Sequence, residues 1–302
     1  FYGIKGGIFT ITTGGAYHVR GPDGSFIGGD NEIGLALIMT IPLLRYIQLT
    51  APYTWLRTGM SLAILLTAVA VVGSQSRGAL VGLVAMGVFL WLKTRNKVFT
   101  SLLGIVAVFM VVNIMPQSWF DRISSIKTYE QDASATGRIN SWHMAFNLAK
   151  DHPLVGGGFE TFRKPTFAMY APNPGDVHDS HSIYFEVLGE HGFVGFAIFL
   201  LLGWATWRSA SWVIRTAKKD PERRWMADLA AMIQVSLVGY ASAGAFLGLA
   251  YFDLYYTLIA VVVVLKVLLK TEIAANPRAV PASRRAPAVL GAQPVSQRNA
   301  VL

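Results

Sequence analysis

Residues 54–97 read TWLRTGMSLAILLTAVAVVGSQSRGALVGLVAMGVFLWLKTRNK. Two apolar runs, 55–73 and 78–92, flank a notch of small polar residues around a single cation, Arg77. The second run stops at a basic loop from Lys93 to Lys97. The hydrocarbon core of a bilayer is about 30 Å thick and is crossed by about 20 apolar residues of helix, within a range of about 17 to 25. The first run meets that length. The second is short: it either extends back through Ser76 or forms a half-buried helix. The stretch therefore predicts two consecutive membrane helices with an arginine at one mouth and cations at the other.

Working outward, five more runs come near the same length, at 33–49, 98–115, 192–207, 227–250 and 253–269. With 55–73 and 78–92 they make seven candidate spans, and the predicted fold class is an all-α, polytopic membrane protein. Composition agrees. Of 302 residues 53% are hydrophobic and only 14% charged, and mean hydropathy is +0.44. Soluble domains carry about 25% charged residues. The chain has no cysteine, which excludes disulfides, thiolate metal sites and a cysteine nucleophile. A net charge of +9 would suggest nucleic acid in a soluble protein. In a membrane protein it reflects Lys and Arg held in cytoplasmic loops, so no nucleic-acid partner is expected and the bilayer is. No charged segment with a following cleavage site is visible near Phe1.

The cations set the orientation. They gather at Arg45 and Arg57, in the 93–97 loop, between Arg208 and Arg224, and after Lys270. All four places fall on one side if the seven runs alternate, and that side is the cytoplasm. Residues 271–302, rich in Ala, Pro and Arg, read as a disordered cytoplasmic tail. The opposite face holds residues 1–32, the notch at Arg77 and a long segment, 116–182, too long for a bare connection. Within that segment SATGRINSWHMAFNLAKDHP reads as a helix, capped at Ser134 or Thr136 and stopped by Pro153. VGGG at 155–158 reads as a tight turn, because no lysine follows it as a phosphate loop requires. The small-residue pattern GLVAMG, Gly82 to Gly87, suits helix packing.

This topology collects ionisable residues on the outer face: Arg20, the Asp30-Asn31-Glu32 run, Arg77, Arg138, His178 and His181. Groups of this kind near a membrane are functional candidates. Each also has a plainer reading. Arg77 can snorkel to headgroups, Arg138 can pair with Asp132, and the acidic run can cap a helix. Several arginines around one mouth suit an anionic ligand, since guanidinium binds phosphate through two donors at once. His178 and His181 with Asp176 and Asp179 have a spacing compatible with metal but no fixed third ligand. The alternative is a single histidine acting as general base near neutral pH, its tautomer set by Glu186 or Glu190.

HSIYFEVLGEHGFVGF, residues 181–196, resembles the C-terminal signature of the O-antigen ligase and O-antigen polymerase superfamily, a His, a small polar residue, nine residues and G-x-x-G. His181, Ser182, Gly192 and Gly195 fill it, and Phe196 departs from the small or β-branched residue that follows in the family. SQSRGAL at Arg77, SATGRINSWHMAF at Arg138 and HPLVGGGFETF resemble further family elements in the same order. GPDGSFIGGDNEIGLAL is most similar to the O-glycosylation ligases associated with exosortase A systems. The resemblance covers roughly residues 1–270. Family members carry more spans, which implies that an N-terminal portion is missing here.

The resemblance implies a metal-independent, cofactor-free inverting glycosyltransferase of the bacterial inner membrane. It would move a glycan from undecaprenyl pyrophosphate to the hydroxyl of a glycan, lipid or protein acceptor on the periplasmic face. His181 would be the general base, Arg77 and Arg138 would grip the pyrophosphate, and Arg20 would be a weaker third cation. Ser182, Gly192 and Gly195 would be packing positions of the motif, with Glu186 and His178 behind the base. A polymerase of the same superfamily differs only in acceptor. A polysaccharide transporter would show inverted repeats and polar residues at mid-membrane depth; no repeat is visible, and mid-span polar residues are few, Gln234 and Ser236 among them.

Overall fold

A computed structural model describes residues 1–94, 97–117, 119–120 and 133–275. All regular secondary structure among these residues is helical. The helices are α1 (Tyr2–Thr12), α2 (Asp30–Thr50), α3 (Thr54–Gly73), α4 (Arg77–Lys93), α5 (Lys97–Ile114), α6 (Ala133–Asp151), α7 (Lys164–Tyr170), α8 (Ile183–Ala217), α9 (Arg224–Gly244) and α10 (Asp253–Ala275). Each of the seven apolar runs is helical over most of its length, though the run at 227–250 leaves the helix after Gly244. Among the described residues four helices, α2, α3, α8 and α9, are long and apolar enough to cross a membrane. The short run at 78–92 becomes a 17-residue helix. It does not extend through Ser76, which stands ahead of it as the N-cap and accepts a bond from the Ala79 N–H at 3.1 Å. The expected tail beyond Ala275 lies outside the described residues.

In lipid the alternative to helix contact is another apolar environment, so close approach of small residues matters more than burial as such. The bundle is built that way. A Cβ on Gly34 of α2 would stand 2.7 Å from Ala79 Cβ of α4, and one on Gly82 of α4 would stand 2.6 Å from Ala243 Cβ of α9. Gly87, by contrast, faces open space. Larger side chains then fill the layer between α2, α4 and α9: Leu35, Ile38, Met39, Met86, Ile233 and Leu237 are all buried. A polar tie crosses the same layer, from the Ser236 hydroxyl to the Met39 carbonyl at 2.7 Å.

Two features depart most from the sequence reading. Residues 2–12, assigned there to an outer segment, form α1. It lies alongside the second half of α3, with Gly3 against Thr67, Gly6 against Ala70 and Gly73 against Thr10. The other is α8, which starts at Ile183 rather than near 192 and breaks at Gly192, where φ is +64°. Its first part bridges the end of α9 and the start of α10. Ile183 packs on Gly244, the Ala250 N–H donates to Glu186 Oε2 at 3.1 Å, and the Tyr251 hydroxyl donates to Glu190 Oε2 at 2.5 Å. The outer helix also begins earlier than its expected caps, at Ala133, so Ser134 and Thr136 lie within its first turn.

Candidate active site

The site is made by α6 holding the strand-like segment that leads into α8. Three consecutive residues of α6 bind its backbone. Asn140 Nδ2 donates to the carbonyls of Asn173 and Asp176, both at 2.9 Å, and its Oδ1 accepts from the Asn173 N–H at 2.9 Å. The Ser141 hydroxyl donates to the His178 carbonyl at 3.0 Å. The Trp142 indole N–H donates to the Ser180 carbonyl at 2.8 Å, while its ring stacks on Phe185 with centroids 4.9 Å apart and planes 7° from parallel. Gly137 is bare for a reason, since a Cβ there would stand 2.5 Å from the His178 ring. Behind this seam Met144, Leu148 and Phe167 form a small core between α6 and α7. The Gly-Arg-x3-Trp spacing thus puts a gap, a cation and an indole donor on the face of α6 that meets the histidine segment.

His181 lies at the end of that segment, half-buried, with φ of +43°. A left-handed backbone at a residue with a Cβ costs about 1–3 kcal/mol and persists only where the surroundings over-determine it. Those surroundings are visible on both sides. Ser180 is fully buried, and its N–H donates to Asp179 Oδ1 at 2.7 Å. Ser182, also buried, is the residue ahead of α8 and donates its N–H to the Ser180 hydroxyl at 3.4 Å. Burial first, and then the Arg138 guanidinium, hold the His181 imidazole below the ordinary histidine value; His178 acts in the same direction, and Asp179 and Glu32 oppose it. The net effect favours the neutral ring, the form able to accept a proton.

The structure therefore brings His181, Arg138 and His178 together, and adds Asp179 and Glu32 from α2. His178 is turned to Asp176, with Nε2 at 2.7 Å from Oδ1. Among the described residues no three or more His, Asp or Glu are grouped to hold a metal ion. Arg77 is half-buried at the start of α4, where it lines a small cavity with Gln75, Ser76 and Trp119. Its neighbour Gly78 abuts Phe246 in the turn after α9, and Gly248 of that turn abuts Asp179. Arg77 and His181 are thus on the same end of the bundle, either side of one turn. Arg20 is exposed, next to Val19, whose N–H donates to the Gly73 carbonyl at 2.9 Å. Glu186 accepts from the Ala250 N–H, and its Oε2 lies with Asp179 Oδ2 around Gly248. Of the motif glycines, Gly192 makes the break in α8, and Gly195 leaves room for His191, whose Cβ a substituent would meet at 2.3 Å.

One group stood out less in sequence than it does here. Glu190 is buried, and its carboxylate joins the Tyr251 hydroxyl to the Glu160 N–H, the latter at 3.0 Å. Its partners are 61 and 30 residues away, so no local spacing announces them.

No curated protein matches the chain. Residues 62–200, a little under half of it, match the model of the O-antigen ligase family. That stretch runs from within α3 to within α8 and includes Arg77, Arg138, His181, Ser182, Gly192 and Gly195, the residues on which the site is built, while Arg20 falls outside it.

Proposed function

We propose that the protein is a ligase- or polymerase-type membrane glycosyltransferase, and within that class an O-antigen-ligase-like enzyme that uses undecaprenyl-pyrophosphate-linked glycan as donor. His181 takes the proton of an acceptor hydroxyl. The freed oxygen attacks the anomeric carbon, the bond from that carbon to the pyrophosphate oxygen breaks, and the pyrophosphate leaves with the electron pair. Attack opposite the leaving group inverts the anomeric centre. Arg138 and Arg77 bind the pyrophosphate and offset the charge that grows on it; Arg20, on the rim, steers it. The reaction runs on the outer face of a bacterial inner membrane without metal or cofactor, and the acceptor is a glycan, lipid or protein hydroxyl. The segment similar to exosortase-associated ligases favours ligation over polymerisation.

The observation that carries this reading is a half-buried His181, held by the clamp from α6, on which burial and the Arg138 guanidinium both disfavour the protonated ring. A base and a pyrophosphate-binding cation within electrostatic reach are what such a transfer needs. The family match over residues 62–200 supports the class. The experiment is transfer of a lipid-linked glycan by the reconstituted protein. His181→Ala should abolish product while donor binding survives, and near-normal transfer by that variant would refute the base. Arg138→Lys and Arg77→Lys should weaken donor binding more than acceptor binding, because a single ammonium cannot replace the fork. Transfer should be unchanged by EDTA.

A further inference from the structure

Between α6 and α7 the chain turns outward and presents Leu154, Val155 and Phe159, which are 70%, 68% and 69% exposed. Large apolar side chains grouped on a surface mark a place of contact. Backbone bonds fix where this turn stands. The N–H groups of Gly157 and Gly158 donate to the carbonyls of Gly189 and Glu190, each at 2.9 Å, and the Phe193 N–H donates to the Pro153 carbonyl at 2.9 Å. A Cβ on Gly192 would stand 2.6 Å from that same carbonyl. The turn is therefore stitched to the break in α8.

That break is where α8 changes character. Ahead of it the helix carries Glu186, Glu190 and His191. Beyond it the exposed large apolar residues include Phe193, Val194, Ile198, Leu200, Leu201 and Trp204, on a helix long and apolar enough to cross a membrane. The apolar tip thus continues the outward apolar surface of α8 at its upper edge. The exposed charges around the tip are of both signs: Lys150 and Asp151 before it, with Lys150 Nζ 5.4 Å from the Phe146 ring, and Glu160, Arg163 and Lys164 after it. An apolar tip in line with the apolar surface of α8, with three cations among the charges behind it, suits the boundary between acyl chains and headgroups, where Lys and Arg reach phosphate and their stems stay with the apolar layer.

We propose that the turn at 152–159 is a membrane-interface anchor, with Leu154, Val155 and Phe159 inserted beside α8 into the headgroup–acyl boundary. The turn is joined directly to α6, so the anchor holds the clamp on His181 at a fixed height over the bilayer. This inference stands on the surface alone and does not depend on glycosyl transfer.

The chain has no cysteine, so an introduced one is the sole labelling position. Nitroxide labels on Leu154→Cys and Val155→Cys, in the protein reconstituted in liposomes of phosphatidylethanolamine and phosphatidylglycerol, should collide with dissolved oxygen several-fold more than with an aqueous nickel chelate. Ile198→Cys supplies the lipid-facing reference and Asn173→Cys the aqueous one. Labels at 154 and 155 that behave like the one at 173 would overturn the anchor, and so would labels shielded from both reagents, which would mean a second copy or another protein covers the turn. A fluorescent reading keeps the test independent of labelling: Leu154→Trp, measured as a difference from the parent, should be quenched by lipids brominated near the headgroup, and absence of quenching would equally overturn the proposal.

Discussion

Trp142→Phe is the substitution that separates holding His181 from building the fold. Phenylalanine keeps a ring to stack on Phe185, a contact of the kind that contributes about 0.5–1.5 kcal/mol beyond area. It removes the indole N–H that donates to the Ser180 carbonyl at 2.8 Å. Ser180 is fully buried, so its carbonyl has little access to water. A buried acceptor left without a donor costs about 1–3 kcal/mol. The left-handed backbone at His181, the next residue, stores strain of the same size, about 1–3 kcal/mol. Once the carbonyl is released, rotation of the 180–181 peptide relieves both, and it carries the imidazole away from Arg138. Losing 1.4 to 2.7 kcal/mol of transition-state stabilisation corresponds to about 10- to 100-fold in rate. The expected result is therefore a fall of that size in kcat for glycan transfer, a nearly unchanged donor KM and a small loss of thermal stability. The acid limb of the pH profile should also move up, because a displaced ring is better solvated. Wild-type kcat in a properly inserted Trp142→Phe protein would refute the reasoning, as would a defect confined to KM.

The pH dependence of the parent protein follows from the same site. His181 is held below the ordinary histidine value of about 6.5, so its base form persists below that pH and kcat/KM should fall only at lower pH; Arg138→Gln removes the second cause of the shift and should move the limb upward, which a pH–rate series reads directly. Gly192→Ala puts a Cβ 2.6 Å from the Pro153 carbonyl at a φ of +64°, so unfolding in detergent should be easier by about 1–3 kcal/mol, and no loss would contradict the break in α8. Tyr251→Phe removes the 2.5 Å donor to a buried carboxylate, worth about 1.5–3 kcal/mol for a charged acceptor, and should loosen the turn after α9 in hydrogen exchange.

What sequence could and could not show divides along physical lines. Long apolar runs must be helical in lipid, because an unpaired backbone there finds no partner. That is why 33–49 became Asp30–Thr50 and 55–73 became Thr54–Gly73 with little adjustment. Helix α1 was missed because its contact with α3 is made by Gly3, Gly6, Gly7 and Thr10, residues that carry no hydrophobic period. The start of α8 was missed because Glu186, Glu190 and His191 interrupt the apolar run. The two carboxylates are accommodated by the Ala250 N–H, the Tyr251 hydroxyl and the Glu160 N–H, and the His191 ring by those of Phe159 and Tyr251, partners that only the tertiary fold supplies.

His181 and Arg138 were legible individually, but not the reason they meet. Spacing alone allowed a pair of histidines in a flexible loop, and with it a metal. What the structure adds is the consecutive set Asn140, Ser141 and Trp142, whose donors reach backbone carbonyls of the residues leading to His181. Side-chain donors spent on backbone fix a path rather than a ligand shell, and they turn His178 toward Asp176 while leaving His181 at the rim beside Arg138. The motif glycines follow the same logic. Gly192 lets α8 turn and Gly195 makes way for His191, so the G-x-x-G spacing encodes a bend. Without that bend the helix carrying His181 at its head would run straight on, and the first turns of α8 could not cross from Gly244 to Tyr251. The glycines therefore set the height and direction at which His181 is presented, and α6 sets its conformation: one motif places His181, and the other holds it.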